Sequence, residues 1–343
     1  MAGKRQLALR NQRMDLYKGI AIYSVIAIHV LFPGSFGSGI RALARFSVPF
    51  FFLTAGYFNF NASPRSLGRR AGRTLKQLIL SSIPYLLLGC ILTAKAGKSV
   101  LEWLKGFRDI RYLEEFFQFH TVPFPYAWQL WFLGALLTVY LLWWAFHTLA
   151  SAAGRPFPYD GFAIAAVVLL LLHLILGEVF GLLGRETDNR LLRNALLDGL
   201  PFFALGSWAA WRRRDIKAAN IPWHALILGG TVLTFVEAKL TGKQELYLGT
   251  LILLAGLMGR CIRYRRAPGG ILSRALQFCG QELTLPIFVV HMLVLASIRE
   301  IPALAWLSNL SWLLPIVVAI LSTLIALGLV WTKANLLRKK VHA

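Results

Sequence analysis

The chain has 343 residues, of which 57% are hydrophobic, 13% aromatic and only 15% charged. Soluble chains carry about 25% charged residues, and a soluble domain of this length could not wet its surface with so few. The proportions exclude a soluble enzyme, a disordered chain and a disulfide scaffold, and leave an all-α polytopic membrane bundle.

Lys and Arg number 37 against 15 Asp and Glu, a formal charge of +22. The basic residues sit in short clusters between apolar runs, a pattern of membrane topology rather than nucleic-acid binding. Cys90, Cys261 and Cys279 lie far apart, without metal-ligand spacing, and read as packing residues. No metal is expected.

A spanning helix needs about 20 mostly apolar residues. Ten such runs follow one another: 16–33, 46–60, 76–94, 128–149, 161–182, 195–211, 223–241, 245–260, 283–299 and 308–331. The second and eighth are short and are expected to be broken, tilted or extended into their flanks. With the N-terminus in the cytoplasm, the inner segments hold 23 Lys and Arg and the outer loops 13. This bias and the even count of runs both predict cytoplasmic termini, with tails at 1–15 and 332–343. No repeat of 20–50 residues recurs, and 1–343 reads as a single transmembrane domain. The first run resembles a signal peptide in its basic start and its Pro33-Gly34-Ser35 stretch. Cleavage would discard Lys18 and His29, however, so it reads as a retained span.

An ionisable side chain at bilayer depth is costly and usually faces the bundle interior. In the first run, Arg13-Met14-Asp15-Leu16-Tyr17-Lys18-Gly19 leads on to His29. Lys18 and His29 are eleven residues apart, so they share one helix face about 16 Å apart along the axis. Asp15, one turn before Lys18, can pair with it. The stripe reads either as a site, or as a packing histidine with a lysine reaching for the interface.

The cluster Arg69-Arg70-Ala71-Gly72-Arg73 enters the third run with Arg70 and Arg73 on one helix face. Paired guanidinium groups suit phosphate, although the cluster is also a plain topological anchor. The longest linker, 95–127, is expected outside and mixes Trp103, Phe107, Phe116, Phe117 and Phe119 with Glu102, Asp109, Glu114 and Glu115. It reads as an amphipathic or re-entrant segment, packed on the bundle or acting as a lid. In Thr284-Leu285-Pro286-Ile287-Phe288-Val289-Val290-His291 a proline precedes a second histidine, and is expected to kink the helix and free a carbonyl near the imidazole. His173 and Glu178 are five residues apart, about 140° round an α-helix, and do not share a face. Asp198, Glu237 and His120 read as groups near the outer water.

At these residues the sequence resembles the acyltransferase 3 family of integral membrane O-acyltransferases. The start of the first run resembles the family's "LD-x-L-R-G-I-A … H" pattern, with its basic residue on Lys18 and its histidine on His29. Ser47-Val48-Pro49-Phe50-Phe51-Phe52-Leu53-Thr54-Ala55-Gly56-Tyr57 resembles "VP-x-FF-x-x-SGY". Arg70-x-x-Arg73 resembles the family's cytoplasmic Arg pair, Gln129-Leu130-Trp131-Phe132-Leu133 resembles "HLWFL", and 284–291 resembles "TLPIYLLH". The departures are Lys18 for the commoner Arg, Thr54 for Ser, Gln129 for His and Phe288 for Tyr. Lys18 keeps the charge but loses the planar fork.

The resemblance implies transfer of an acyl group, usually acetyl, from cytoplasmic acyl-CoA to a hydroxyl of a lipid-linked or surface glycan, at the cell inner membrane. It implies His29 as the catalytic residue and the Arg pair on the CoA side. The residues fit that chemistry. A polyanionic donor meets basic clusters on the cytoplasmic side, and imidazole suits deprotonation of a hydroxyl near neutral pH. The expected site is therefore His29 and His291 as catalytic residues, Lys18, Arg70 and Arg73 for the CoA phosphates, and Asp15 and Trp131 in support. A transporter or flippase for an amphipathic anion would use similar features, although no inverted repeat is visible. A structural envelope subunit would leave Lys18 and His29 without a task.

Overall fold

The structure is a computed structural model that describes residues 10–341, with side chains to 336. Lys4, Arg5 and the side chains of Arg338, Lys339 and Lys340, counted above among the inner cations, lie outside the described residues. Among the described residues every regular element is helical, with no strand. Among the described residues five helices are long and apolar enough to cross a membrane: Pro64–Lys95, Trp128–Ala152, Tyr159–Leu182, Ile271–Glu300 and Leu314–Leu336. Their outward faces are apolar. On Pro64–Lys95 the stripe Ile79, Ile83, Leu87 and Ile91 is 44% to 63% exposed at i,i+4 spacing. Such a stripe would drive a soluble protein to aggregate, whereas in lipid it is the expected surface.

The chain forms two compact units, residues 1–51 with 212–343, and residues 52–211. In the first unit, α1 (Gln12–His29) is followed by α2 (Gly34–Ala44) and the first turn of α3 (Ser47–Phe58). Helix α1 begins before the apolar run and stops at His29, because the chain turns at Pro33-Gly34. His29 is thus the last helical residue, where the run to 33 placed it four residues inside.

The second unit holds α4 (Pro64–Lys95), α5 (Val100–Gly106), α6 (Ile110–Phe119), α7 (Trp131–Ala152), α8 (Tyr159–Leu174) and α9 (Leu200–Trp211). Helix α4 is 32 residues long, about 48 Å, and exceeds the ~30 Å hydrocarbon core. Its first turns, with Arg65, Arg69, Arg70 and Arg73, are therefore a basic helical extension ahead of the apolar run, and Arg70 and Arg73 share the helix expected of them. Pro64 at the first position and the Ser63 hydroxyl, which accepts from Ser66 N–H at 3.3 Å, start it there.

The 95–127 segment is packed on its own unit. Trp103 sits over Gly89, where an added Cβ would come within 2.4 Å of its ring. Phe107 clusters with Trp103, Tyr112 and Phe124 at 4.8 to 5.4 Å between ring centroids. His120 ends the segment buried, its Nδ1–H donating to Phe116 O at 3.0 Å and its Nε2 accepting Ala195 N–H at 3.2 Å.

Two π turns, Ile175–Val179 and Ala195–Gly199, interrupt this unit's helices. The turn widens between His173 and Glu178, so ideal α spacing does not govern them. Asp198 is buried rather than at the outer water, Glu178 is also buried, and His173 Nδ1 lies 3.1 Å from Leu197 O.

The unit closes where α3 meets α9. An added Cβ at Gly56 would lie 1.9 Å from Phe203 O, and one at Gly206 2.0 Å from Leu53 O. Ser207 Oγ donates to Gly56 O at 2.9 Å. Small residues that let two backbones touch are the usual means of helix association in lipid.

Gly56→Leu and Gly206→Leu are each expected to destabilise the protein by at least about 2 kcal/mol, because a backbone carbonyl has no room to move. Gly328→Ala, in open space, should be neutral or slightly stabilising; thermal melts in detergent compare them. Burial pushes the His120 pKa below its ordinary 6.5. The folded ring is neutral, so its contribution is present above the unfolded pKa of about 6.5 and lost as pH falls. The melting difference between wild type and His120→Gln should therefore narrow from about pH 7.5 to about pH 5.

Candidate functional site

The first unit continues through α10 (Trp223–Thr241), α11 (Leu248–Arg263), α12 (Ile271–Phe278), α13 (Thr284–Glu300) and α14 (Leu314–Val341). The start of α1 is tied to the chain following α11. Asn11 caps α1 by accepting Met14 N–H at 3.1 Å and donates from Nδ2 to Cys261 O at 2.8 Å. Arg13 is buried, donating from Nε to Tyr264 O at 2.8 Å and from Nη2 to Arg266 O at 2.7 Å. Counted in the sequence only as an inner cation, Arg13 is a clamp between distant segments.

Buried Asp15 accepts from Arg10 Nε at 2.5 Å and from Lys18 Nζ at 2.7 Å. The i,i+3 pairing expected from the sequence is present, and Arg10 joins it. One carboxylate thus orders two cations and leaves net positive charge at this end of α1. Arg260 belongs to the same neighbourhood, within electrostatic reach of Tyr17, and its Nε is buried with no hydrogen-bond partner.

Helices α12 and α13 are joined by the π turn Cys279–Leu283 into one span, Ile271–Glu300, where the sequence predicted a linker up to 282. Pro286 has no N–H to offer the Glu282 carbonyl, which removes one α-type bond at this point. Thr284 Oγ1 reaches back to Cys279 O at 3.3 Å and Gly280 O at 3.1 Å. The span then lies directly on α1. An added Cβ at Gly19 would stand 2.0 Å from Leu276 O, and one at Gly280 1.9 Å from Asp15 O. Gly19 stood in the sequence only as a position of the first run's motif and Gly280 did not stand out at all, since close approach leaves no local pattern.

This contact brings the two histidines together. The rings of His29 and His291 have centroids 5.5 Å apart at an interplanar angle of 38°. His291 is fully buried, and its Nδ1 lies 3.2 Å from Ile287 O. A carbonyl only accepts, so Nδ1 carries the proton and Nε2 of the neutral ring carries a lone pair. Nε2 has no hydrogen-bond partner. The carbonyl that holds the ring is one turn before it, not the one Pro286 releases.

The remaining expected residues are in the second unit. Arg70 is half-buried, hydrogen-bonds Tyr140 and has an unpartnered buried Nε, while Arg73 is exposed and within electrostatic reach of the same hydroxyl. Trp131 and Phe132 stand 6.5 and 4.8 Å from Phe52 between ring centroids, so the 47–57 and 129–133 stretches meet. The Gln129 amide donates to Tyr85 Oη at 2.5 Å, with its carbonyl oxygen unpartnered. Among the described residues no group of three or more His, Cys, Asp or Glu could hold a metal.

A helical multi-pass membrane protein in which a part-exposed His29 faces a fully buried His291 is thus defined. The sequence matches the acyltransferase 3 family, described as an acyltransferase domain, over residues 11–331. The chain belongs to that family and is a membrane acyltransferase. Comparison with curated proteins and with solved structures gives no match.

Asp15→Asn should leave Arg10 and Lys18 without their shared carboxylate. Both partners are part-exposed, so a loss of about 1–2 kcal/mol is expected, measured by thermal unfolding in detergent.

Proposed function

We propose that the protein is an acyl-CoA-dependent O-acyltransferase that moves an acyl group, acetyl in the first instance, to a hydroxyl of a cell-envelope or exported glycan. All ten apolar runs cross the cell inner membrane in this reading, as one transmembrane domain with both termini cytoplasmic and 95–127 outside. The five long apolar helices and the excess of inner Lys and Arg support that topology.

The observation that carries the reading is the His29–His291 contact, at 5.5 Å between ring centroids. His29 is the catalytic residue, as the base that takes the acceptor hydroxyl's proton or as the acyl carrier itself. In direct transfer the acceptor oxygen attacks the thioester carbonyl, the carbon–oxygen bond forms and the carbon–sulfur bond breaks. The proton taken by His29 then goes to the departing CoA thiolate. His291 orients His29 or the acceptor through its Nε2 lone pair. Lys18, Arg70 and Arg73 are the candidates for the donor's phosphates, Asp15 fixes Lys18, and Trp131 is a supporting residue.

Purified protein with radiolabelled acetyl-CoA and an envelope glycan extract should transfer label and release CoA thiol. His29→Ala, folded and inserted, should lose at least about 100-fold in rate, the scale of a general base. Arg70→Gln and Arg73→Gln should raise the KM for acetyl-CoA more than they lower kcat. Wild-type transfer by His29→Ala excludes both roles for that ring, and a wild-type protein that releases no CoA thiol overturns acyl-CoA as the donor.

A further inference from the structure

A cavity of about 820 Å³ opens in the first unit against α2, the helix that follows α1 in the chain. One wall is α2, whose lining begins at Ser35, six residues beyond His29. The facing wall is the end of α10 and the loop to Tyr247. Gly39 sets the two walls close, since an added Cβ there would stand 3.2 Å from the Phe235 ring. Tyr247 shapes the loop by donating to Gly242 O at 2.8 Å and accepting Gln244 N–H at 3.0 Å.

The lining carries Arg41, Arg45, Lys239 and Lys243 and no acidic residue. Arg45 is committed elsewhere, because both of its terminal nitrogens donate to buried Glu245, at 2.7 and 3.1 Å. Arg41 and Lys239 face the cavity from opposite walls. Beside them Phe36 is 52% and Phe235 36% exposed. Phe36 is a held platform, with Phe32 and Trp312 each 5.6 Å away between centroids. Cations, aromatic faces and the small polar groups of Ser35, Ser38 and Gln244 form a mixed lining. Guanidinium and ammonium groups recognise carboxylate or phosphate, exposed rings receive the apolar face of a sugar, and hydroxyls and amides complement its alcohols.

We propose that this cavity binds the acyl acceptor and that the acceptor is an acidic saccharide. Its carboxylate or phosphate is held by Arg41 and Lys239, and its ring lies against Phe36 and Phe235. The proposal rests on the reading of the chain as a glycan acyltransferase and deepens it. Helix α1 is about 27 Å long, so its two ends separate the tasks. The Asp15–Lys18 end meets the donor's phosphates and the His29 end meets the acceptor.

The test uses full-length protein in nanodiscs of zwitterionic phospholipid. The probes are a fluorescent oligouronate, the same oligosaccharide with its carboxyls reduced to alcohols, and a phosphorylated neutral oligosaccharide. At least one acidic probe should bind at least tenfold tighter than the reduced one. Arg41→Gln and, independently, the exposed Lys239→Gln should each weaken acid binding severalfold or more without changing affinity for the reduced probe. Equal affinity for acidic and neutral probes, or variants that bind the acid as wild type does, overturns the proposal. So does loss of acid binding in nanodiscs containing anionic phospholipid, which assigns the cations to lipid headgroups. CoA thiol release, measured separately, reports on the transferase reading. Acid binding that persists without thiol release sinks that reading alone, while thiol release without acid preference sinks only the acidic acceptor.

Discussion

Two glycines facing backbone carbonyls, Gly19 against Leu276 and Gly280 against Asp15, let α1 and the Ile271–Glu300 span meet without side chains between them. Lipid supplies no hydrophobic drive for helices to associate, so such contacts rest on shape and dispersion. This seam brings His29 and His291 into ring contact across more than 250 residues of sequence. Asn11 and Arg13 reinforce it by donating to carbonyls at Cys261, Tyr264 and Arg266. The imidazole pair is therefore a product of backbone packing, and its precision depends on residues with no chemistry of their own.

Among the described residues three π turns, Ile175–Val179, Ala195–Gly199 and Cys279–Leu283, each contain an acidic residue, buried in the first two and exposed at Glu282 in the third. A widened turn frees backbone carbonyls, and within a membrane protein these must find donors. Thr284 answers the need at one turn.

Charge is distributed along α1 in a way that suits vectorial chemistry. At its beginning Asp15 gathers Arg10 and Lys18, and at its end the chain turns directly into the wall of a cationic cavity. The proposed donor and acceptor are both anionic in this scheme. They would be kept apart by the length of a single helix.

Composition by itself established a helical membrane protein, because so few charges cannot solvate so long a chain, and each apolar run falls on a helix. The i,i+3 spacing of Asp15 and Lys18 was legible for the same reason: local helical geometry follows from sequence separation. So were the individual histidines and the Arg70–Arg73 face. What only the tertiary structure decided is their company. The meeting of His29 with His291 and the clamp made by Arg13 depend on contacts between segments far apart in the chain. Periodicity carries no information about these. A glycine in an apolar helix reads as a weakness until the carbonyl of another helix is seen to occupy the place of its missing side chain.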